Sequence, residues 1–213
     1  MLKKRARKNH NKRIFTVLLL LMVSLMLEAC SPKSYTADTN TIFPQKKGAV
    51  VQVLVSDFDK DYYDKDELMQ YIENAVMDFQ QVRGEESMFL RSCEVEDKTV
   101  RVRLDFATSK DYSLFNEQTL FCGTIAEALE EGYSFDSDFY TVEENQKTEE
   151  VVKSEILEKE KYHVVIIDHS TWVELPGRLR YIGGDAAIIH SKKQVEITEK
   201  ADSSKNLMYL IYK

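Results

Sequence analysis

Residues 88–106 read MFLRSCEVEDKTVRVRLDF. From Thr99 onward, Val100, Val102, Leu104 and Phe106 alternate with Arg101, Arg103 and Asp105. A period of two places one set on a buried sheet face and the other in water. Asp97-Lys98 interrupts the run, so Met88–Glu96 and Thr99–Phe106 read as two strands of a hairpin. In the first strand Cys93 is in phase with Val95, on the apolar side.

Working outward toward the N-terminus, Gly48–Val55 (GAVVQVLV) is a short β-branched run and predicts a strand. Asp57–Asp66 is an acidic, aromatic loop. Asp64 followed by Glu67 fits a helix start. Leu68, Ile72, Ala75, Val76, Phe79 and Val82 then recur at three and four, predicting an amphipathic helix that ends near Gly84. On the other side of the hairpin, Leu120, Phe121, Ile125, Ala128 and Leu129 predict a second helix over roughly Asn116–Glu131, closed by Gly132.

Residues 142–161 (VEENQKTEEVVKSEILEKEK) are dense in charge and read as a solvated helix or a mobile insert. Beyond them the predicted strands are Tyr162–Ile167, Thr171–Leu175, Arg178–Ile182, Ala186–His190, Val195–Thr198 and Leu207–Tyr212. The first of these is apolar throughout its second half, as a strand buried on both faces would be. The fold class is therefore α+β. A strand–helix–hairpin–helix domain (48–141) precedes a charged linker or insert (142–161) and a β-rich subdomain (162–213), a meander or small sandwich.

The first thirty residues carry a different message. Residues 1–13 hold seven Lys or Arg and no acid, and Ile14–Leu27 (IFTVLLLLMVSLML) is uncharged. Fourteen residues are short for a membrane span, which needs about 20. A basic segment before a short apolar run is the pattern of an export signal. Leu27-Glu28-Ala29-Cys30 then resembles the lipobox of bacterial lipoproteins. That resemblance implies a diacylglyceryl group on the Cys30 thiol, with Leu27 and Ala29 read by the signal peptidase. It implies a signal peptide over 1–29, then a lipidated Cys and flexible tether over 30–47. It also implies localisation at the cell membrane, lipid-anchored on the extracytoplasmic face. Two acyl chains hold a protein stably, at about 0.8 kcal/mol per buried CH₂.

Composition narrows the partners. The 213-residue chain has a net charge of −7, with 43% hydrophobic and 31% charged residues. Removing residues 1–29 takes away seven basic residues and one acid, leaving 22 and 35, a net −13 over 184 residues. The acidic balance argues against nucleic acid as a partner, because release of the counterions condensed on its phosphates needs a basic protein surface. The membrane, through the lipid, and an envelope protein or wall component are the partners that remain.

The hairpin 93–106, followed by Thr124-Ile125-Ala126-Glu127-Ala128-Leu129, resembles the GerMN-type domain of sporulation and germination lipoproteins. The resemblance covers about 85 residues. The Pro-Gly turn into a last strand is replaced here by the charged insert. It implies a scaffold or binding role and carries no catalytic residues.

Little else in the chain points to chemistry. Asp57, Asp59 and Asp61 alternate as in the start of a calcium loop, but the loop rule wants Gly at position 62 and Glu at 68, where Tyr62 and Leu68 stand. A solvated loop capping a helix is the expectation, with an irregular calcium site as the alternative. Cys93 and Cys122 read as two buried free thiols; export permits a disulfide, and spacing does not decide. His163, His169 and His190 are the histidines beyond the signal. Asp168-His169-Ser170 has triad residue types, yet neighbours on an extended chain point to opposite faces. No nucleophile elbow, phosphate loop or H-E-x-x-H motif is present. Gly183-Gly184 reads as a turn. Trp172 and Tyr181 read as core or boundary residues, with a glycan platform as the alternative. The expectation is a protein without catalytic residues or cofactor; the alternative is an envelope-polymer hydrolase using a carboxylate pair, for which two acids suffice.

Overall fold

A computed structural model describes residues 35–198 and 207–213. The signal segment 1–29 with Leu27 and Ala29, Cys30, residues 31–34 and residues 199–206 lie outside the described residues. The described chain begins with β1 (Thr41–Pro44), β2 (Val50–Asp57), α1 (Lys65–Arg83), β3 (Met88–Glu96) and β4 (Thr99–Phe106). Next come α2 (Ser109–Asn116), β5 (Leu120–Thr124), α3 (Ile125–Glu130), β6 (Phe139–Glu143), β7 (Gln146–Val151) and α4 (Lys153–Leu157). The last strands are β8 (His163–Ile167), β9 (Thr171–Glu174), β10 (Leu179–Gly183), β11 (Ala187–Ile189), β12 (Gln194–Ile197) and β13 (Met208–Tyr212). The fold is α+β with a strand-rich C-terminal half.

The predicted hairpin forms in the predicted phase. Val100, Val102, Leu104 and Phe106 are buried, and the residues between them are half-buried. At its turn Asp97 and Lys98 have φ of 49° and 61°, the positive values a two-residue type I′ turn requires. Helix α1 starts where Asp64 accepts hydrogen bonds from the Asp66 and Glu67 amides and stops at Gly84, whose φ is 105°. Val82 departs from the expected apolar stripe. It is 84% exposed, because it lies on the last turn, beyond the reach of the sheet.

The strands make two sheets. The first has the order β11-β12-β9-β1-β2-β4-β3 and the second β5-β8-β13-β10-β6-β7. The pairings are antiparallel except β1 with β9. One core gathers Ile42, Val50, Val102, Leu104, Val173 and Val195 of the first sheet with Val165, Ile167, Ile182 and Leu210 of the second. Helix α1 closes the same core over β3 and β4 through Val76, Ile72 and Phe79. The opposite face of the second sheet has a core of its own, in which Val164, Ile166, Tyr209 and Ile211 meet Ile125 and Ala128 of α3 and Ile156 of α4. On the opposite face of the first sheet, Phe43, Val51 and Val53 are covered by Tyr35 and Ala37, from the strap Tyr35–Asn40.

Four expectations are corrected. The 30–47 tether is structured from Tyr35 onward, and β1 lies inside the first sheet, because Ile42 and Phe43 are apolar enough to be buried there. The single helix Asn116–Glu131 is instead a strand and a short helix, β5 and α3, with α2 ending at Asn116. Thr124 starts α3 with a capping box to Glu127, so the chain before it is free to pair with β8. Residues 142–161 are neither a solvated helix nor a mobile insert. They hold the end of the β6–β7 hairpin and α4, fixed by buried Val142, Val151 and Ile156. Charged β7 forms an edge of the second sheet, where charges discourage further pairing. Finally, the C-terminal strands are not a separate subdomain. Strands β9, β11 and β12 join the first sheet through β1, and residues 35–213 make one unit.

Candidate binding clefts and a buried polar chain

The end of β8 brings together groups that strand alternation would keep apart. Asp168 and His169 follow Ile167, the last residue of the strand, so both turn toward α2. Asp168 Oδ1 accepts from the Thr119 amide at 2.9 Å and lies 3.2 Å from His169 Nδ1. His169 Nε2 lies 3.0 Å from the Tyr112 hydroxyl, and Gln52 Nε2 donates to that hydroxyl at 3.4 Å. The Tyr112 and His169 rings stack, with centroids 5.8 Å apart. Asp168 and His169 thus meet although they are neighbours in the chain, while Ser170 does not join them as a triad would require. Alternation holds inside a strand and ends with it.

Burial lowers the His169 pKa, and Asp168 only partly opposes it. Burial also raises the Tyr112 phenol strongly. For Asp168, burial pushes upward, but hydrogen bonds from Thr119 and His169 outweigh it and hold the carboxyl below its ordinary range. A neutral imidazole therefore donates from Nδ1 to Asp168 and accepts at Nε2 from Tyr112. Tyr112 is 1% exposed and packs edge-on against Phe106 at 5.3 Å. No substrate atom could reach the phenol without opening the core. Ser170 has no part in the chain. What the arrangement does is tie β2, α2 and the β8–β9 loop together by hydrogen bonds in a low-dielectric interior. Gln52 Oε1 remains without a partner in the structure.

Open chemistry lies elsewhere. A cleft of about 590 Å³ is lined from three directions. Gln45, Lys47 and Gly48 come from the β1–β2 turn, Cys122 and Gly123 from β5, and Glu127, Glu130 and Glu131 from α3 and its end. His163 closes it, stacked on Tyr212 at 5.4 Å. Glu127 is held in place by the capping box: its Oε2 accepts from the Thr124 amide at 2.7 Å and the Thr124 hydroxyl at 2.9 Å. Those two hydrogen bonds keep its carboxyl below the usual range, with His163 a smaller help. Such a group stays ionised and accepts hydrogen bonds, which suits ligand recognition better than proton donation. Cys122 contributes to the cleft from a buried position, and burial raises its thiol strongly, so it is no nucleophile.

A larger depression, about 670 Å³, is lined by Asp136, Asp138 and Asp185 with Lys153, Gly184 and Tyr209. Lys153 donates to Asp136, and this bond, more than the one from Ser134, lowers the Asp136 pKa. Lys147 pairs with Asp185 at 3.7 Å.

The remaining predicted residues are dispersed. Asp57 ends β2, Asp59 pairs with Lys60 at 3.1 Å, and Asp61 lies in the following turn. Among the described residues no three His, Cys, Asp or Glu side chains converge as metal ligands would. Cys93 and Cys122 are both buried and free, with Cys122 on a strand rather than the expected helix. Trp172 stands in the first sheet, stacked on His190 at 4.2 Å, and His190 Nε2 lies 2.8 Å from Glu196. Tyr181 stands in the second sheet, so the two do not form one platform. Gly183 closes β10 where a Cβ would sit 2.5 Å from the Phe139 ring. Sequence reasoning missed Tyr112 and Gln52, for which no local signal exists. It also passed over Glu127 as a site residue, although the T-x-x-E of 124–127 announces a fixed carboxylate. Comparison with family models, with curated proteins and with solved structures finds no match.

Proposed function

We propose that the chain is an extracytoplasmic lipoprotein, anchored to the cell membrane through Cys30, with a non-catalytic binding or scaffolding role in the cell envelope. The observation that carries the reading is the order of basic segment, short apolar run and Leu27-Glu28-Ala29-Cys30. The partner is an envelope protein or wall component, met at the polar clefts beside Glu127 and Asp138. Two features support binding over turnover. Glu127 is fixed by its capping box with its carboxyl held below the usual range, and the Tyr112 end of the polar chain is buried. The GerMN-type resemblance implies the same kind of role. Growth of expressing cells with an alkyne fatty acid tests the anchor. The wild-type chain is expected to be labelled and Cys30→Ala is not; a wild-type chain without lipid by mass spectrometry overturns the reading.

One observation favours a second reading, an envelope-polymer hydrolase using two acids. Asp136, Asp138 and Asp185 line a depression of about 670 Å³. Incubation with purified peptidoglycan decides between them. No product is expected; product that disappears in Asp138→Asn, with an unchanged melting temperature, establishes the hydrolase.

A further inference from the structure

The strap shortens the leash. Tyr35 donates through its hydroxyl to Gln45 Oε1 at 2.6 Å, meets Phe43 edge-on at 5.2 Å, and lies under the Arg103 guanidinium at 4.6 Å. Arg101 holds the Ala37 carbonyl and the Asp38 carboxylate at 3.4 and 3.3 Å. Asn40 Oδ1 accepts from the Val55 amide at 2.7 Å, and its carbonyl accepts from the Trp172 amide at 3.0 Å. The described fold therefore begins at Tyr35, five residues after Cys30, and not at Gly48. Five Cα steps span at most about 18 Å. A folded unit the size of residues 35–213 is roughly 40 Å across. A leash that short, leaving from one face, keeps the opposite face from reaching the same surface.

We propose that the strap-bearing face of the first sheet is the membrane-facing side of the protein, lying against the phospholipid headgroups that hold the Cys30 lipid. The proposal rests on the lipoprotein reading above. Its side-chain chemistry agrees. Strand register sets Ile188, Glu196, Trp172, Thr41, Val53 and Arg103 in one row across this face. Three of the six arginines of residues 35–213 stand on it with Tyr35 and Phe89: Arg91 and Arg103 share Asp105, and Arg101 pairs with Asp38. Arginine and the amphipathic rings of Trp and Tyr suit the headgroup layer. Glu174 and Glu196 flank Trp172, so the face rests on the headgroups without entering the acyl region. The outer face of the second sheet, with the depression lined by Asp136 and Asp138, is left accessible to partners from the envelope.

Trp172 is the single tryptophan of the chain, and it reports this directly. Full-length lipidated protein is reconstituted in phosphatidylglycerol/phosphatidylethanolamine vesicles with a dansyl headgroup acceptor, and energy transfer from Trp172 is measured. Transfer is compared with a Trp172→Phe, Tyr181→Trp variant, whose donor lies on the outer face of the second sheet. At least twofold more transfer is expected from position 172. Equal or greater transfer from position 181, in protein shown by mass spectrometry to carry its lipid, overturns this proposal alone. Protein without lipid overturns the lipoprotein reading and this proposal with it. Insertion of twenty Gly/Ser residues between Ser34 and Tyr35 keeps Trp172 in place. It is expected to lower the transfer at least twofold, and unchanged transfer refutes the leash argument.

Discussion

In the second sheet Val164–Ile167 and Met208–Tyr212 are buried along their whole length, whereas in the first sheet β4 buries every second residue. The difference follows from what covers each sheet. Strands β8 and β13 have the other sheet on one face and α3 and α4 on the other, so Val164–Ile167 and Met208–Tyr212 are kept from water. Strand β4 has a core on one face and only a six-residue strap near the other. A run of consecutive aliphatics and a strict alternation are thus the same physics under different cover. The contrast also separates roles. The doubly covered sheet is the buried centre, and the singly covered one keeps a wet face on which Arg91, Arg101 and Arg103 pair with Asp105 and Asp38.

The comparison breaks most easily at adjacent positions. Ile166 and Ile167 face opposite cores, so Ile166→Ala and Ile167→Ala are each expected to cost about 2–5 kcal/mol in urea unfolding. In β4 the same cost is expected for Leu104→Ala. A large difference between Ile166→Ala and Ile167→Ala would show that one face of the second sheet is not sealed.

A middle-sized effect is expected at the polar chain that joins the two regions. Tyr112→Phe removes the donor to His169 Nε2 and should cost about 1–3 kcal/mol, as an unpaired buried acceptor does. His169 adds a pH dependence with a defined sign. Its folded pKa lies below the unfolded value near 6.5, so its share of stability is complete above that value. As pH falls from that value through the lowered folded one, the unfolded chain holds a proton that the folded one resists, and stability is lost. Melting curves at pH 7.5 and 5.5 should show this acid-side loss in the wild type and less of it in His169→Asn. An equal loss in both would remove His169 from the account.

The smallest effect is expected on the wet face. Arg103 pairs with Asp105 at 2.9 Å in a half-exposed setting. Arg103→Ala should therefore cost no more than about 1 kcal/mol. A larger loss would mean that the strap, which Arg103 holds through Tyr35, carries more of the first sheet than its short apolar contact implies.

Local pattern made much of the secondary structure legible. The hairpin 88–106, α1 with its Asp64 cap, and the six C-terminal strands stand within about a residue of where periodicity and turn residues place them, because each depends on neighbours a few positions away. The helix read across Asn116–Glu131 failed because its apolar spacing suited strand and helix alike. The capping signal at Thr124 was the local sign that it was two elements.

The sequence by itself determined the scarcity of known catalytic motifs and the acidic character of the folded part, and it alone carries the resemblance to a lipobox at Cys30. Each is a property of composition or of adjacent residues. Only the tertiary structure decided that Ile42 and Phe43 make a strand inside the first sheet, and that Tyr112 meets His169 across 57 positions. It alone decided that Glu127 and His163 share a cleft. These are long-range pairings, selected by which faces must be covered once the sheets stack. No residue carries that information alone, since the same Ile-Phe dipeptide would be left in solvent if β9 and β2 did not arrive on either side of it.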